Sequence, residues 1–367
     1  MLAALRNFSD RVLGRGDAAI TVPVMDGALK ANRVLDEAMV VAELPGIDDI
    51  ASDGATLWAS AGRVLYRLDG DAMAPTAARE FEADISAIAV TRTGLVAASV
   101  GGGSIVVMQM AGGVWNEVGK LEQLGGTKLV GVNAIAFDGD EQLVFSEGAQ
   151  RHGPADWCRD LMELGQTGRV GRWNFRSGAS SPLAAGLHHA YGVLVRGDAV
   201  LVSESWRHRV VSTGGASRSA WPSGLPGYPS RMSPAADGGF WLACFVCRTQ
   251  LVEFVLREPA YRQRMLAEID PRYWIAPALA SGKSFLEPLQ GAGVKTMGVM
   301  KPWAPPRSYG LVLRVGREGQ VMHSFHSQVD GQHHGITGVA EHRGLLFAAS
   351  KGSGRLLSVP TAAGVAA

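Results

Sequence analysis

The stretch AIAFDGDEQLVFS, residues 134–146, decides the fold, because it joins two apolar runs through a turn rich in Asp and Gly. Similar units recur along the chain as DIASDGATLWAS (49–60), AIAVTRTGLVAAS (87–99), GVLVRGDAVLVS (192–203), RMSPAADGGFWLA (231–243) and GVAEHRGLLFAAS (338–350). A third apolar run, such as SIVVMQM (104–110), often follows within a few residues. Four-stranded antiparallel units repeated every ~40–50 residues are typical of a β-propeller. The sequence therefore predicts an all-β fold, a six-bladed β-propeller.

The spacing of these units predicts one domain over residues 1–367. We expect blades at 38–80, 82–118, 130–180, 188–222, 226–325 and 331–360. Residues 1–18 carry apolar side chains at helical spacing, which predicts a short amphipathic helix that caps the propeller. The segment ITVPVMDG (20–27) is predicted to be the outer strand of the last blade, closing the ring.

Two insertions interrupt the rhythm of the strands. Residues 147–168 are predicted to join the second and third strands of blade three, and 257–289 to form a helical insertion in blade five. Loops longer than about 12–15 residues in a compact domain often bind ligands or act as lids. A packing role is equally consistent with the second insertion, since it contains the apolar residues Leu266, Ile269 and Trp274.

Composition excludes several classes of protein. The 35 Lys and Arg residues nearly balance the 34 Asp and Glu residues, so no excess charge attracts nucleic acid or an anionic membrane. Three cysteines, Cys158, Cys244 and Cys247, are too few and odd in number for a disulfide framework. No apolar stretch has the length of a signal peptide or a membrane span, and we expect a cytoplasmic location.

Two segments also carry a resemblance to a known family. HHAYGVLVRGDAVLVSESWRHRVV (188–211) and SYGLVLRVGREGQVMHSFH (308–326) resemble the central and C-terminal signatures of strictosidine synthase-like proteins. The resemblance implies a six-bladed propeller, distantly related to gluconolactonases and paraoxonases. Those relatives place calcium or another divalent cation at the top of the central channel and hydrolyse lactones or esters.

The chain departs from the family at the residues that carry chemistry. Thr337 stands at the position of the glutamate that strictosidine synthase uses, and a hydroxyl cannot accept a proton as a carboxylate does. Strictosidine synthesis is therefore disfavoured. For the metal, the resemblance implies Asp48 (or its neighbour Asp49) and Asn133 as ligands, while Tyr191 and Ser230 replace an Asn and an Asp. Because calcium takes about 6–8 oxygen ligands, the divalent cation site, if used, is weakened.

Polar residues at the strand ends are expected to meet on one face of the channel. Imidazole suits proton transfer near neutral pH, so His189 and His334 are the candidate catalytic bases, with Glu204 as the nearest candidate carboxylate. Glu204 could equally form a structural ion pair with Arg209. The candidate substrate-binding residues are Tyr191, Tyr228, Ser230, Arg231 and Thr337.

Two functions of different classes remain open at this point. The first is hydrolysis of small-molecule esters or lactones at the mouth of the channel. The second is a propeller without catalytic activity that binds a metabolite or a partner protein, which the changes at Tyr191, Ser230 and Thr337 favour. We expect a small-molecule substrate or ligand as the partner, and neither nucleic acid nor a membrane span.

Overall fold

A computed structural model describes residues 22–213, 221–281 and 307–362 of the chain. The described residues form six antiparallel sheets arranged as blades, besides a two-stranded ribbon, and this six-bladed β-propeller confirms the predicted fold class. The innermost strand of each sheet contacts the innermost strand of the next sheet, and the sixth contacts the first. These contacts close a ring around a central channel.

The strands follow one another from the inside of each blade to its outside. The first strand of the described residues, β1 (Met39–Glu43), is the outer strand of blade six. Blade one contains β2 (Ile47–Ser52), β3 (Leu57–Ala61), β4 (Val64–Asp69) and β5 (Ala74–Glu80). Blade two contains β6 (Ile85–Val90), β7 (Leu95–Val100), β8 (Ser104–Ala111) and β9 (Val114–Leu121). A two-stranded ribbon, β10 (Gln123–Leu124) and β11 (Thr127–Lys128), leads to blade three.

The remaining blades repeat the pattern. Blade three contains β12 (Val132–Phe137), β13 (Gln142–Glu147), β14 (Gly168–Asn174) and β15 (Ser180–Leu187). Blade four has β16 (Ala190–Arg196), β17 (Ala199–Glu204) and β18 (Arg209–Thr213) within the described residues. Blade five contains β19 (Gly227–Pro234), β20 (Phe240–Cys247), β21 (Gly310–Val315) and β22 (Val321–Ser327). Blade six contains β23 (Ile336–His342), β24 (Leu345–Ser350) and β25 (Arg355–Pro360), besides β1.

The hydrophobic core is divided among the blades, since each sheet buries apolar side chains against its neighbour. Between blades two and three, Ile105, Phe145 and Trp173 belong to one such cluster. Between blades one and six, Leu57 and Phe347 belong to another. Because each sheet packs its apolar side chains on those of its neighbours, the inner strands are held at fixed positions around the channel.

The prediction for the closing strand is wrong. Of residues 20–27, those that the structure describes form no strand, and Gly27–Leu29 is a 3₁₀ turn. The closing strand is β1, which pairs with β25 and lies within 38–80, the range predicted for blade one. Two physical reasons account for the difference. Pro23, within the predicted strand, has no N–H to donate to a neighbouring strand. Blade six lies next to blade one in the ring, so β1, which directly precedes blade one in the chain, can pair with β25 of blade six. The predicted helix at 1–18 lies outside the described residues.

Both insertions lie where the sequence places them, between the second and third strands of blades three and five. The first contains a 3₁₀ turn, Pro154–Asp156, and α1 (Trp157–Met162). The second contains α2 (Gln250–Arg257), α3 (Pro259–Glu268) and a 3₁₀ turn, Pro271–Tyr273. Its helices begin earlier than the predicted 257, and residues 282–289 lie outside the described part. No helix in the described ranges has the length and apolar composition needed to cross a bilayer.

Candidate functional site

The channel end at which most of the inner strands begin, here called the upper mouth, gathers most of the polar residues selected from the sequence. Both insertions contribute side chains that cover it. Within the described residues the remaining space is about 20 Å³, room for roughly one water molecule. The upper mouth is lined by Asp48, Ser86, Asn133, Pro154, Trp157, His189, Tyr191, Arg231, Phe245, Leu279, Thr337 and Lys351.

Arg231 lies across the floor of the upper mouth and is almost completely buried. Its Nε donates to the carbonyl oxygen of Asn133 at 2.8 Å. Its Nη1 donates to the carbonyl oxygens of Asp48 at 2.8 Å and Thr337 at 3.1 Å, and Nη2 donates to that of Ser86. The guanidinium also lies over the ring of Tyr191, 5.2 Å from the ring centroid. Arg231, which belongs to blade five, thus contacts each of the other five blades.

Two carboxylates of β2 balance the charge of Arg231. Asp48 Oδ1 accepts from Arg231 Nη1 at 3.0 Å, and Asp48 Oδ2 accepts from Lys351 Nζ. Although burial opposes ionisation of Asp48, the charges of Lys351 and Arg231 hold its pKa below the usual value. The neighbouring Asp49 lies 3.2 Å from Arg231 Nε, and burial raises its pKa to about 6 despite that contact.

His189 lies in a chain of hydrogen bonds at the side of the upper mouth. Its Nε2 lies 3.2 Å from Asn133 Nδ2, and its Nδ1 lies 3.2 Å from Asp160 Oδ2. Asn133 Nδ2 also donates to the carbonyl oxygen of Ala190 at 3.2 Å. Because a carbonyl only accepts, that atom of Asn133 must be the amide nitrogen. His189 therefore accepts at Nε2 and donates from Nδ1 to Asp160, the tautomer of a general base.

Asp160 is held in place by α1 and by an aromatic neighbour. Leu161 and Met162 of the same helix are buried in the apolar cluster beneath the insertion. Trp206 Nε1 donates to Asp160 Oδ2 at 2.8 Å, and the Trp206 ring stacks on His189 with 4.1 Å between centroids. Burial opposes ionisation of Asp160, but the hydrogen bonds and charge it shares with His189 and Trp206 hold its pKa below the usual value.

The backbone around the dyad formed by His189 and Asp160 is unusual. His189 has φ +59°, a left-handed conformation that few residues other than glycine adopt. A Cβ on Gly148 would lie 2.3 Å from Asn133 Nδ2, and one on Gly165 would lie 2.1 Å from Asp160 Oδ1. Backbone strain and close contacts of this kind concentrate at functional sites, which supports a functional role for this dyad.

The other two predicted catalytic residues lie elsewhere. Glu204 accepts from the backbone N–H of His188 at 2.9 Å and from Arg209 Nε at 2.7 Å, the ion pair considered as an alternative. The carboxylate bonded to His189 is Asp160 instead. His334 donates from Nε2 to the carbonyl oxygen of Gln328 at 2.7 Å and does not line the upper mouth. Burial lowers the pKa of His334, which keeps its ring neutral at pH 7.

The predicted substrate-binding residues are only partly brought together. Tyr191, Arg231 and Thr337 line the upper mouth, and Thr337 Oγ1 donates to the carbonyl oxygen of Asp48 at 2.5 Å. Ser230 is buried beneath it and donates from Oγ to the carbonyl oxygen of Ile336 at 3.0 Å. Tyr228 is buried against His208, with 4.5 Å between their ring centroids.

The residues of the upper mouth do not fit a divalent cation. Asp48, the predicted acidic ligand, already binds two cationic side chains, and the Asn133 amide nitrogen faces His189. A doubly charged ion would add to the positive charges of Arg231 and Lys351 in a buried site, which is unfavourable. Among the described residues, no group of three or more His, Cys, Asp or Glu side chains is arranged to hold a metal.

A larger cavity of about 600 Å³ opens at the opposite end of the channel. Arg231 and Asp49 form its inner end, and the inner strands supply apolar walls such as Ile88, Met232 and Val339. No histidine of the described ranges lines this lower cavity. The lower cavity is more spacious, and Asp49 with its raised pKa lies at its inner end. The hydrogen-bonded pair of His189 and Asp160 lies at the upper mouth, which we take as the candidate site.

Sequence reasoning missed the two charged side chains Lys351, which lines the upper mouth, and Asp160, which binds His189 beside it. Asp160 lies in the first insertion, 29 positions before its partner His189, so local spacing does not connect them. The signal that was available is the position of the insertion, which follows a strand that ends at the mouth. Lys351 is the first residue after β24, the second strand of blade six. At the same position after the second strand, blade three has Gly148 and blade two has Gly101.

A comparison with known proteins finds a distant relative. The chain is 25% identical over 306 residues to an adipocyte plasma membrane-associated protein of Salmo salar, covering 72% of this chain and 74% of the relative. No protein-family model matches the chain.

Solved structures give the same result for the fold. A gluconolactonase from Xanthomonas campestris superposes with a TM-score of 0.54 at 14% identity, covering 93% of this chain and 95% of the other. A putative gluconolactonase has a TM-score of 0.54 at 12% identity, with 88% and 91% covered. The calcium-binding protein regucalcin from Agrobacterium tumefaciens has a TM-score of 0.52 at 14% identity, with 88% and 92% covered. At these identities the likeness shows the fold: the chain is similar to gluconolactonase- and regucalcin-type propellers.

Proposed function

We propose that this protein hydrolyses a small-molecule ester or lactone at the upper mouth, with His189 as general base. The observation that carries the proposal is the hydrogen-bonded series Asp160–His189–Asn133. The gluconolactonases among the structures of similar fold support the reaction class by analogy.

The geometry supplies the parts that water activation needs. Since Nδ1 of His189 carries its proton toward Asp160, the lone pair of Nε2 can accept a proton from water when the Asn133 amide yields its place. Asp160 then stabilises the imidazolium that forms, because an ionised carboxylate lies 3.2 Å from the ring. General base catalysis of this kind contributes about 10²–10⁴-fold to the rate.

The same mouth offers donors for the charge that develops on the carbonyl oxygen of the substrate. Lys351 Nζ and the Asn133 amide both border the space, and Tyr191 and Thr337 complete its wall. About 20 Å³ admits water but not a lactone, so substrate entry requires Trp157 or Leu279 to move aside. Both of these residues belong to the insertions rather than to the propeller strands.

Substitutions at the two members of the dyad test the proposal. His189→Asn keeps a residue that tolerates positive φ and should lower kcat/KM for aryl esters or lactones by about 10²-fold or more. Asp160→Asn should have a similar effect, because its amide would donate to Nδ1 and place the ring proton on Nε2. The matched control is His342→Gln, a buried histidine bonded to Ser52 outside the upper mouth, which should keep full activity.

The outcomes separate the two predicted histidines. Loss of turnover in His334→Gln combined with normal turnover in His189→Asn would transfer the base to His334 and contradict the proposal. Melting temperatures of all variants show whether a loss reflects unfolding.

A second function, binding without catalysis, is favoured by a specific observation. The lower cavity, at about 600 Å³, has room for a metabolite, and no histidine of the described ranges lines it. If the wild type turns over no ester or lactone, while a metabolite library yields a saturable rise in melting temperature, the binding function replaces the hydrolase.

A further inference from the structure

The groups that surround Arg231 form a cage of oxygen atoms in the centre of the propeller. Six oxygens face the guanidinium: the carbonyls of Asp48, Ser86, Asn133 and Thr337, one carboxylate oxygen of Asp48 and one of Asp49. They come from blades one, two, three and six, whereas Arg231 comes from blade five. Main-chain carbonyls and carboxylates in this number are the ligands that calcium takes in proteins.

We propose that the guanidinium of Arg231 is a built-in cation that fills an oxygen cage suited to a divalent metal ion. The protein then needs no metal to hold its channel together, and truncation of Arg231 creates a calcium site. This inference does not rest on the proposed hydrolase, since it concerns the binding of a cation and the stability of the fold.

Charge and burial support the exchange of one cation for another. Asp48 and Asp49 are 7% and 4% exposed, so without Arg231 two buried carboxylates would share a single ammonium, Lys351. An unpaired buried carboxylate is unfavourable, and a cation at the centre of the cage relieves it. The planar guanidinium, with five N–H donors, also satisfies carbonyls on several sides at once, which a lysine ammonium with three donors cannot do.

Melting temperatures in calcium and in a chelator test the proposal. For the wild type, 5 mM CaCl₂ and 5 mM EDTA should give the same melting temperature within about 1 °C, and calorimetric titration with CaCl₂ should release no binding heat. Arg231→Ala should melt lower than the wild type in EDTA, and CaCl₂ should raise its melting temperature by about 3 °C or more.

Two further variants make the result specific. Arg231→Lys keeps the charge with fewer donors, so it should melt lower than the wild type yet stay insensitive to calcium. The matched control is Arg314→Ala, which removes another buried arginine of blade five that binds the carbonyl of Phe240 at 3.0 Å and lies outside the cage. It should also melt lower, without recovery in CaCl₂.

Either of two results would overturn the proposal. One is stoichiometric calcium binding by the wild type together with a rise in its melting temperature. The other is a folded Arg231→Ala protein whose melting temperature and calorimetric heat do not respond to calcium. If Arg231→Ala does not fold in either buffer, Arg231→Gln receives the same two measurements, and the wild-type titration still decides the first result.

Discussion

His189 has a left-handed backbone, and its ring is held in one orientation by the stacked indole of Trp206 and the hydrogen bond to Asp160. Sequence reasoning selected His189 because of its residue type and its place before an inner strand. It could not select Asp160, because that contact depends on how the first insertion folds back over the mouth. For Glu204 the sequence left two roles open, and its bonds to Arg209 and the backbone show the ion pair.

A second buried acid, Glu253 of α2, gives a prediction about pH. Its Oε1 accepts from Arg248 Nε at 2.9 Å and lies 3.5 Å from His208 Nε2. Burial opposes ionisation, yet the hydrogen bonds from His208 and Arg248 lower the pKa of Glu253 to about 2. Because the folded pKa lies below the unfolded one, this stabilisation is complete above about pH 4.5 and is lost as the pH falls toward 2.

We therefore expect Glu253→Gln to reduce the free energy of unfolding by about 3 kcal/mol at pH 7, since it leaves Arg248 without its carboxylate. The difference from the wild type should shrink as the pH falls from about 5 toward 3, which urea unfolding at several pH values measures. Glu268→Gln of α3, whose pair with Arg264 is exposed, is the control and should cost less than about 0.5 kcal/mol. A difference that stays constant with pH would contradict this role of Glu253.

At the scale of elements, the two insertions convert the end of a propeller channel into a covered mouth. The sequence located both of them, because each interrupts the repeat between its second and third strands. It did not show what they contribute: the first supplies Asp160 and Trp157, and the second supplies Leu279. Which side chains reach the mouth depends on short helices packed by Leu161 and Met162, and apolar spacing over six residues does not define their direction.

Gly165 tests how closely the first insertion must fit. An added Cβ would lie 2.1 Å from the Asp160 carboxylate, so Gly165→Ala must displace that group from His189. We expect kcat/KM to fall by about tenfold or more, with a loss of about 1–3 kcal/mol in the free energy of unfolding. Gly153→Ala in the same insertion is the control, because its Cβ would meet only the carbonyl oxygen of Val130 at 3.8 Å. Equal activity in the two variants would show that catalysis does not depend on the position of Asp160, and would contradict the prediction.

For the whole molecule, the repeat predicted the propeller because each blade packs its apolar side chains on its neighbours, so a local pattern determines the architecture. The prediction of the closing strand was wrong, because an outer strand of blade six needs only an extended segment that lies close to that blade. Both 20–27 and β1 satisfy that condition in sequence. The centre of the molecule could not be predicted from single positions, because the cage around Arg231 combines main-chain carbonyls of four blades, and carbonyls leave no mark in a sequence.

The rate of lactone hydrolysis in the presence of EDTA tests the account most directly, because it depends on His189 as base and on Arg231 as the resident cation. We predict that the wild type has the same kcat/KM in EDTA as in CaCl₂, and that His189→Asn has a value lower by about 10²-fold or more in both buffers. Hydrolysis that disappears in EDTA and returns with calcium, or that continues unchanged in His189→Asn, would contradict the account.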